Sequence, residues 1–266
     1  RKPLIMLGAR QVGKTWLMRE FASEAYEKSA YVNFEDDEML KGMFASDFDI
    51  PRIINTIQWS TGVTIDEDTL IILDEIQEAP RGITALKYFA EKAPQYHVMA
   101  AGSLLGIAMH QNDSFPVGKV DIMHLYPMSF EEFLDAMGEG QLVDILHSND
   151  HQMTDVFASK FIDLLRQYYF TGGMPEAVRT YSETKDLPAV RTIQKNILAA
   201  YEADIAKHTA SETQRVRMVW QSVPGQLARE NKKFIYGAVR KGARAKDFEI
   251  AIQWLGDAGL VYKVNR

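Results

Sequence analysis

The chain has 266 residues, enough for one large domain or two or three small ones, with the 46% apolar and 25% charged content of an ordinary globular protein. A formal net charge of −6 excludes a global electrostatic pull towards nucleic acid or an anionic membrane, so any such binding must come from a local patch. With no cysteine there is no disulfide framework and no thiolate zinc site, which fits a reducing cytoplasm, and no apolar run approaches the ~18 residues of a membrane span.

Over the first 126 or so residues, short apolar runs alternate with helical patterns, which predicts a parallel sheet in an α/β layer fold. The predicted strands are Leu4–Leu7, Ala30–Phe34, Leu70–Leu73, His97–Ala101 and Val120–Tyr126, with helices such as Lys14–Lys28 and Ile83–Lys92 between them. After Pro127 the pattern turns helical. Ser129-Phe130-Glu131-Glu132 reads as a capping box, and further helices are expected near Thr154–Tyr169, Leu187–Lys207 and Ser211–Gln221. Three parts are expected: a nucleotide-binding core over 1–127, a helical lid over 128–210, and a winged-helix-like unit over 211–266. Both ends fall on strand-like runs, Leu4–Leu7 and Leu260–Val264, so the chain reads as a piece truncated at its C-terminus.

Gly8-Ala9-Arg10-Gln11-Val12-Gly13-Lys14-Thr15 fits G-x-x-x-x-G-K-[ST] at every fixed position, with an apolar strand before it and an amphipathic helix after it. Background residue frequencies give about one chance match per 100 chains of this size. Glycine at 8 and 13 lets successive N–H groups turn towards phosphate oxygens, and the helix starting near Lys14 adds the positive end of its dipole. Lys14 is placed to reach the β- and γ-phosphates, and the Thr15 hydroxyl to ligate Mg²⁺.

Leu70-Ile71-Ile72-Leu73-Asp74-Glu75 is an apolar strand closed by two carboxylates. Asp74 suits a hard cation, and Glu75 at the strand's carboxyl end suits a base for an attacking water. Alone, the same pair could simply cap a strand and open a turn. A further strand ends at Gly102-Ser103, where Ser103 reads either as a polar sensor beside Asp74 or as the N-cap of a helix over Leu104–Met109. His147 and His151 stand four apart, but Ser148-Asn149-Asp150 between them reads as a loop and no third ligand is evident.

With these elements in hand, the chain resembles the bacterial and archaeal AAA+ ATPases that pair an AAA domain with a C-terminal domain of unknown function. The likeness rests on GARQVGKT (8–15), YVNFEDDE (31–38), LIILDEIQ (70–77), AAGSLLG (100–106), LYPMSFEEFL (125–134), GGMPEAV (172–178), YEADIAKH (201–208) and FEIAIQWLGDAGLVYKV (248–264). It implies a five-stranded core, a helical lid and a winged helix, and a further C-terminal domain that is expected to be missing from this sequence. It also implies a catalytic set of Lys14, Glu75 and Ser103, and Mg²⁺ ligation by Thr15 and Asp74. The implied nucleotide contacts are Gly8, Ala9, Arg10, Gln11, Val12, Gly13, Lys14, Thr15, Trp16, Gly173 and Pro175. The last two sit in a turn similar to the G-x-P turn of signal-transduction ATPases, though a plain helix-breaking turn reads the same way. Gly118-Lys119 stands where many relatives have Gly-Arg, which weakens an arginine-finger role there, and Arg10, Arg81 and Arg179 are the other charge donors in view.

The resemblance implies ATP and Mg²⁺ as cofactors and ATP hydrolysis as the activity. A slow nucleotide-gated switch and a DNA-associated module are the competing readings, and a homo-oligomer or a protein partner is compatible with each. For DNA, seven basic residues (Arg229, Lys232, Lys233, Arg240, Lys241, Arg244, Lys246) stand between 229 and 246 against one acid, Glu230. Helices expected at Gln226–Asn231 and Lys246–Asp257 and a strand at Leu260–Val264 would complete a winged helix, with Ile250, Ile252, Trp254 and Leu255 as its core.

Overall fold

The computed structural model describes residues 1–103, 116, 118–148, 150–206, 210–230 and 233–264. The chain folds as two compact units, Arg1–Leu125 with Asp204–Arg266, and Tyr126–Ala203.

The first unit is built on a sheet of five described strands: β1 (Leu4–Gly8), β2 (Ser29–Asn33), β3 (Leu70–Asp74), β4 (His97–Ser103) and β5 (Asp121–Leu125). Each strand pairs in parallel with its neighbours and the order is β2-β3-β4-β1-β5. This is the α/β architecture expected from the alternating pattern, with strand bounds shifted by one or two residues. Side chains alternate across the sheet, and both faces are covered, which explains why the central strands are apolar throughout. Ile5, Leu7, Ile71, Leu73, Val98 and Ala100 face one core, closed by α3 (Ile50–Thr61) and α4 (Gly82–Lys92), with α2 (Glu38–Lys41) before them in the chain. Met6, Leu70, Ile72, Met99 and Ala101 face the other, closed by Met18 and Ala22 of α1 (Lys14–Ala25). The helix predicted over Lys14–Lys28 stops at Ala25 because Tyr26 is already extended and leads into β2.

The same unit includes the segment from Asp204. Helices Ala210–Leu227, Tyr236–Val239 and Ala245–Asp257 gather around Ile205, Val216, Val219, Phe248, Ala251 and Leu255. Three expectations for this region need correction. No separate helix forms at 226, because the helix from Ala210 runs through Pro224 to Leu227, and the buried Gln226 side chain instead accepts the Ile235 N–H. Leu260–Val264 forms no strand. Gly259 takes the left-handed conformation, and the N–H groups of Leu260 and Val261 turn back onto the Leu255 carbonyl, so they cap a helix rather than join a sheet neighbour. Ile250 is no core residue: it is 72% exposed, on the outer face of a helix whose inner face carries Phe248, Ala251 and Leu255.

The second unit is helical among its described residues. Ser129 and Glu132 form the expected capping box at the start of the helix Phe130–Ala136, with Glu132 N–H donating to Ser129 Oγ and Ser129 N–H to Glu132 Oε2. Helices Gly140–His147, His151–Val156, Ala158–Thr171, Pro175–Thr184 and Leu187–Ile205 follow. The helix expected over Thr154–Tyr169 is two pieces, broken at Phe157. Phe133, Ala177, Val178, Tyr181 and Val190 form one core cluster, and Leu134, Leu142, Phe161 and Leu164 another.

Candidate functional site

The carboxyl ends of β1, β3 and β4 lie side by side, which is where open parallel sheets hold ligands. Gly8 ends β1, and a Cβ there would stand 2.3 Å from the Leu125 carbonyl oxygen, so no other residue fits. Beyond it the backbone enters the left-handed region at Gln11 (φ 64°) and again at Gly13 (φ 96°). That is costly for glutamine and easy for glycine. The helix α1 opens immediately after Gly13 with no side-chain cap, leaving its first-turn N–H groups for a ligand.

Lys14 is buried beneath this loop, and its ammonium donates to the carbonyls of Gly8 (3.1 Å) and Ala9 (2.9 Å). Burial lowers its pKa, against the opposing pull of Glu75 and Asp74. An anion held by the loop would supply the counter-charge that a buried ammonium needs.

Thr15, Asp74 and Tyr31 converge. Asp74 Oδ2 accepts from the Thr15 hydroxyl at 2.7 Å and from the Tyr31 hydroxyl at 2.8 Å, while Asp74 Oδ1 accepts the Glu75 N–H at 3.0 Å. Burial, followed by the bond to Asp74, pushes the Tyr31 hydroxyl well above its ordinary pKa, so it stays a donor. The Arg19 guanidinium lies 4.0 Å over the Tyr31 ring. The hydroxyl of Thr15 and the carboxylate of Asp74 are hard oxygen donors suited to Mg²⁺. Among the described residues no cluster of three or more histidine or carboxylate ligands forms. A cation at Thr15 and Asp74 would therefore take its remaining oxygens from water and phosphate, as Mg²⁺ does at nucleotide sites.

Glu75 turns away from the strand through a left-handed conformation (φ 49°) and is held by the Gln77 amide, which donates to Glu75 Oε2. Burial raises its pKa, opposed by the Gln77 hydrogen bond and by the charges of Lys14 and Arg10. A partly desolvated carboxylate is a stronger base than one in water. Ser103 is buried at the end of β4, directly opposite Gly8 in the β1–β4 register. The helix expected over Leu104–Met109 lies outside the described residues.

Arg10 joins distant parts of the first unit. Its Nη1 is 2.9 Å from Asp204 Oδ2 and 3.1 Å from Oδ1, and its Nη2 is 3.4 Å from Glu35 Oε1. Burial disfavours the guanidinium's charge, but Asp204, Glu35, Glu75 and Glu78 together hold its pKa above the ordinary value. Ala9 and Val12 are buried in the loop, whereas the Trp16 side chain is 66% exposed on α1. Arg81 is occupied elsewhere: it donates to the Ala45 carbonyl and stacks over Phe48. Lys119 pairs with Glu91.

In the second unit Gly173 is pinned to Met128, whose N–H donates to the Gly173 carbonyl at 2.7 Å. A Cβ on Gly173 would stand 2.2 Å from the Met128 oxygen. Pro175 opens the helix Pro175–Thr184 at its first position, and Arg179 is exposed on that helix. His147 closes one helix and His151 opens the next, and His147 Nε2 contacts Glu131.

Sequence reasoning did not single out Tyr31, Gln77, Arg19 or Asp204. Tyr31 and Gln77 stand inside the YVNFEDDE and LIILDEIQ segments, and Tyr31 lies two positions before Asn33, the register partner of Asp74. Asp204 stands inside YEADIAKH.

A family model described as an AAA domain matches residues 1–134, and one described as a domain of unknown function (DUF8612) matches residues 162–266. No curated protein sequence matches the chain. Among solved structures, the chain is similar to Cdc6p from Pyrobaculum aerophilum at 12% identity and a TM-score of 0.34, covering 96% of this chain and 74% of that one. It is also similar to the Aeropyrum pernix Orc1 protein in complex with DNA, at 14% identity and a TM-score of 0.35, covering 97% and 78%.

Proposed function

The chain belongs to the AAA domain family, and from that premise we propose that it binds ATP with Mg²⁺ and hydrolyses the γ-phosphate. The observation that carries the reading is the convergence of Lys14, Thr15, Asp74 and Glu75 at one sheet edge, with Thr15 and Asp74 joined at 2.7 Å.

In this reading the N–H groups of the Gly8–Thr15 loop and the first turn of α1 hold the phosphates, and Lys14 exchanges its carbonyl bonds for phosphate oxygens. Thr15 and Asp74 hold Mg²⁺, which when bound neutralises charge on the phosphates. Glu75 accepts a proton from the attacking water at its carboxylate, and Gln77 keeps that carboxylate in place. Ser103 contributes a hydroxyl beside the loop, with Trp16 following on α1. Gly173 and Pro175 form a turn that packs against the nucleotide, 128–210 is a lid, and 211–266 is a winged-helix-like unit. These last roles rest on the family resemblance.

A second reading is a slow nucleotide-gated switch. Two observations favour it: Lys119 is paired with Glu91, and Arg10 with Asp204 and Glu35, so neither presents an uncommitted cation to a neighbouring site. Assembly into a homo-oligomer, a protein partner and a cytoplasmic location are compatible with both readings. Turnover measured across protein concentration separates them. Specific activity that rises on assembly supports the ATPase, tight binding without turnover at any concentration supports the switch, and no nucleotide binding overturns both.

A further inference from the structure

We propose that the Arg10–Asp204 ion pair is a nucleotide-operated latch, in which an anionic phosphate in the Gly8–Thr15 loop draws the guanidinium off Asp204 and loosens the segment that follows it. The inference rests on the phosphate reading of the loop and adds a means of regulating that site.

The two partners are separated by 194 residues yet meet at 2.9 Å. They are unequal in what they lose on separation. The Asp204 side chain is only 6% exposed, while Glu35, a second carboxylate on Arg10, is 52% exposed. Glu35 returns to water at little cost, whereas parting a carboxylate as buried as that of Asp204 from a guanidinium costs more. Asp204 is also tied to the segment that follows: its neighbour Ile205 is fully buried in the cluster of Val216, Val219, Phe248, Ala251 and Leu255, so a shift of the backbone at Asp204 is passed to that cluster.

Arg10 is the third residue of the loop and already carries the influence of four carboxylates, Asp204, Glu35, Glu75 and Glu78. Phosphate in the loop adds several negative charges next to this group. It offers the guanidinium a stronger charge-assisted acceptor and repels Asp204. Both effects act in the same direction, against the Arg10–Asp204 pair. Because coupling between two equilibria is reciprocal, the intact pair weakens nucleotide binding by the same factor by which nucleotide weakens the pair, so removing the pair strengthens binding. YEADIAKH, which has no part in the phosphate site itself, thereby acquires a function: it carries the carboxylate that competes with phosphate for Arg10.

Calorimetric titration with ADP and with a slowly hydrolysed ATP analogue, alongside hydrogen exchange on peptides from 205–227 and 245–257, tests this on the whole chain. Nucleotide should raise exchange in both peptide groups of the wild type. Asp204→Asn, which keeps the shape and removes the charge, should bind nucleotide at least about fivefold more tightly and lose that exchange response, while Glu35→Gln should change affinity less than about twofold. Unchanged or weaker binding by a folded Asp204→Asn overturns the latch. So does wild-type exchange that stays constant at saturating nucleotide, a result that needs no variant. Wild type with no affinity for nucleotide overturns the phosphate reading itself, and the latch with it.

Discussion

The Thr15 hydroxyl and the Asp74 carboxylate, 59 residues apart in sequence, share a 2.7 Å hydrogen bond at the carboxyl edge of the sheet, one following β1 and the other ending β3. Asp74→Asn keeps the shape but gives up the charge that draws a divalent cation. Nucleotide affinity measured with Mg²⁺ should fall at least about tenfold, or about 1.4 kcal/mol, while affinity measured in a chelator should hardly move. Equal losses in the two conditions would mean that Asp74 supports the loop rather than a metal.

Lys14→Ala removes the buried ammonium that lies against the Gly8 and Ala9 carbonyls. Affinity for ATP should drop at least about tenfold, again about 1.4 kcal/mol or more, because a charge-assisted contact to phosphate is lost. Calorimetry on the folded variant reads this directly, and an unchanged affinity would remove the loop from the nucleotide site.

Glu75→Gln preserves the shape that Gln77 holds but cannot take a proton. It should bind ATP normally and turn it over at least ~100-fold more slowly. The same variant has a stability signature. Burial raises the Glu75 pKa in the folded chain, so the folded state binds more protons than the unfolded one between the two pKa values, and stability falls as pH rises through that window. Glu75→Gln should therefore melt higher than wild type at neutral pH, and the gap should close in acid, where the wild-type carboxyl is protonated too. A gap that is independent of pH would argue against a desolvated carboxylate.

Gly173→Ala places a methyl 2.2 Å from the Met128 oxygen, a backbone atom that cannot rotate aside. Overpacking of this kind costs roughly 1–3 kcal/mol, seen as a lower urea midpoint for the helical unit. If the midpoint does not move, the clamp between Met128 and Gly173 has slack enough to admit a methyl group.

The basic stretch from 229 to 246 gives a charge-based test for DNA. Arg229, Lys233, Arg240, Lys241, Arg244 and Lys246 are exposed, while Lys232 lies outside the described residues. Binding to a labelled duplex should be insensitive to sequence and fall steeply between ~50 and ~200 mM salt. An anisotropy that stays flat at ~50 mM salt, with or without ATP, removes DNA as a partner of this chain. Asp247, Glu249 and Asp257 on the helix Ala245–Asp257 already oppose a groove-reading role for it.

What was legible in the sequence depended on how far each contact reaches along the chain. β1, β3 and β4 announce themselves because each is a continuous apolar run in the middle of the sheet, and the loop at Gly8–Thr15 because its residues act within eight positions of one another. The capping box at Ser129 is likewise local. Asp204 was invisible as a partner of Arg10, since nothing near either residue signals a contact made 194 positions away. Tyr31 hid for a different reason: an aromatic residue in a strand reads as core, and only the register of β2 against β3 brings its hydroxyl to Asp74. Leu260–Val264 misled because strand propensity describes a residue's preference and carries no word of whether a neighbour waits to pair with it.

Gly8 sharpens how variants of the loop are to be interpreted. Its missing side chain is demanded by the Leu125 carbonyl on the adjacent strand, 2.3 Å from where a Cβ would sit, and thus by the sheet rather than by any ligand. Replacing Gly8 would pry β5 from β1 and abolish binding whatever the loop recognises. Such a variant is a dead protein, not a probe. Lys14 and Thr15, whose side chains lie at the site and can be replaced without a backbone clash of this kind, are the positions where a loss of binding by a folded variant reports on recognition.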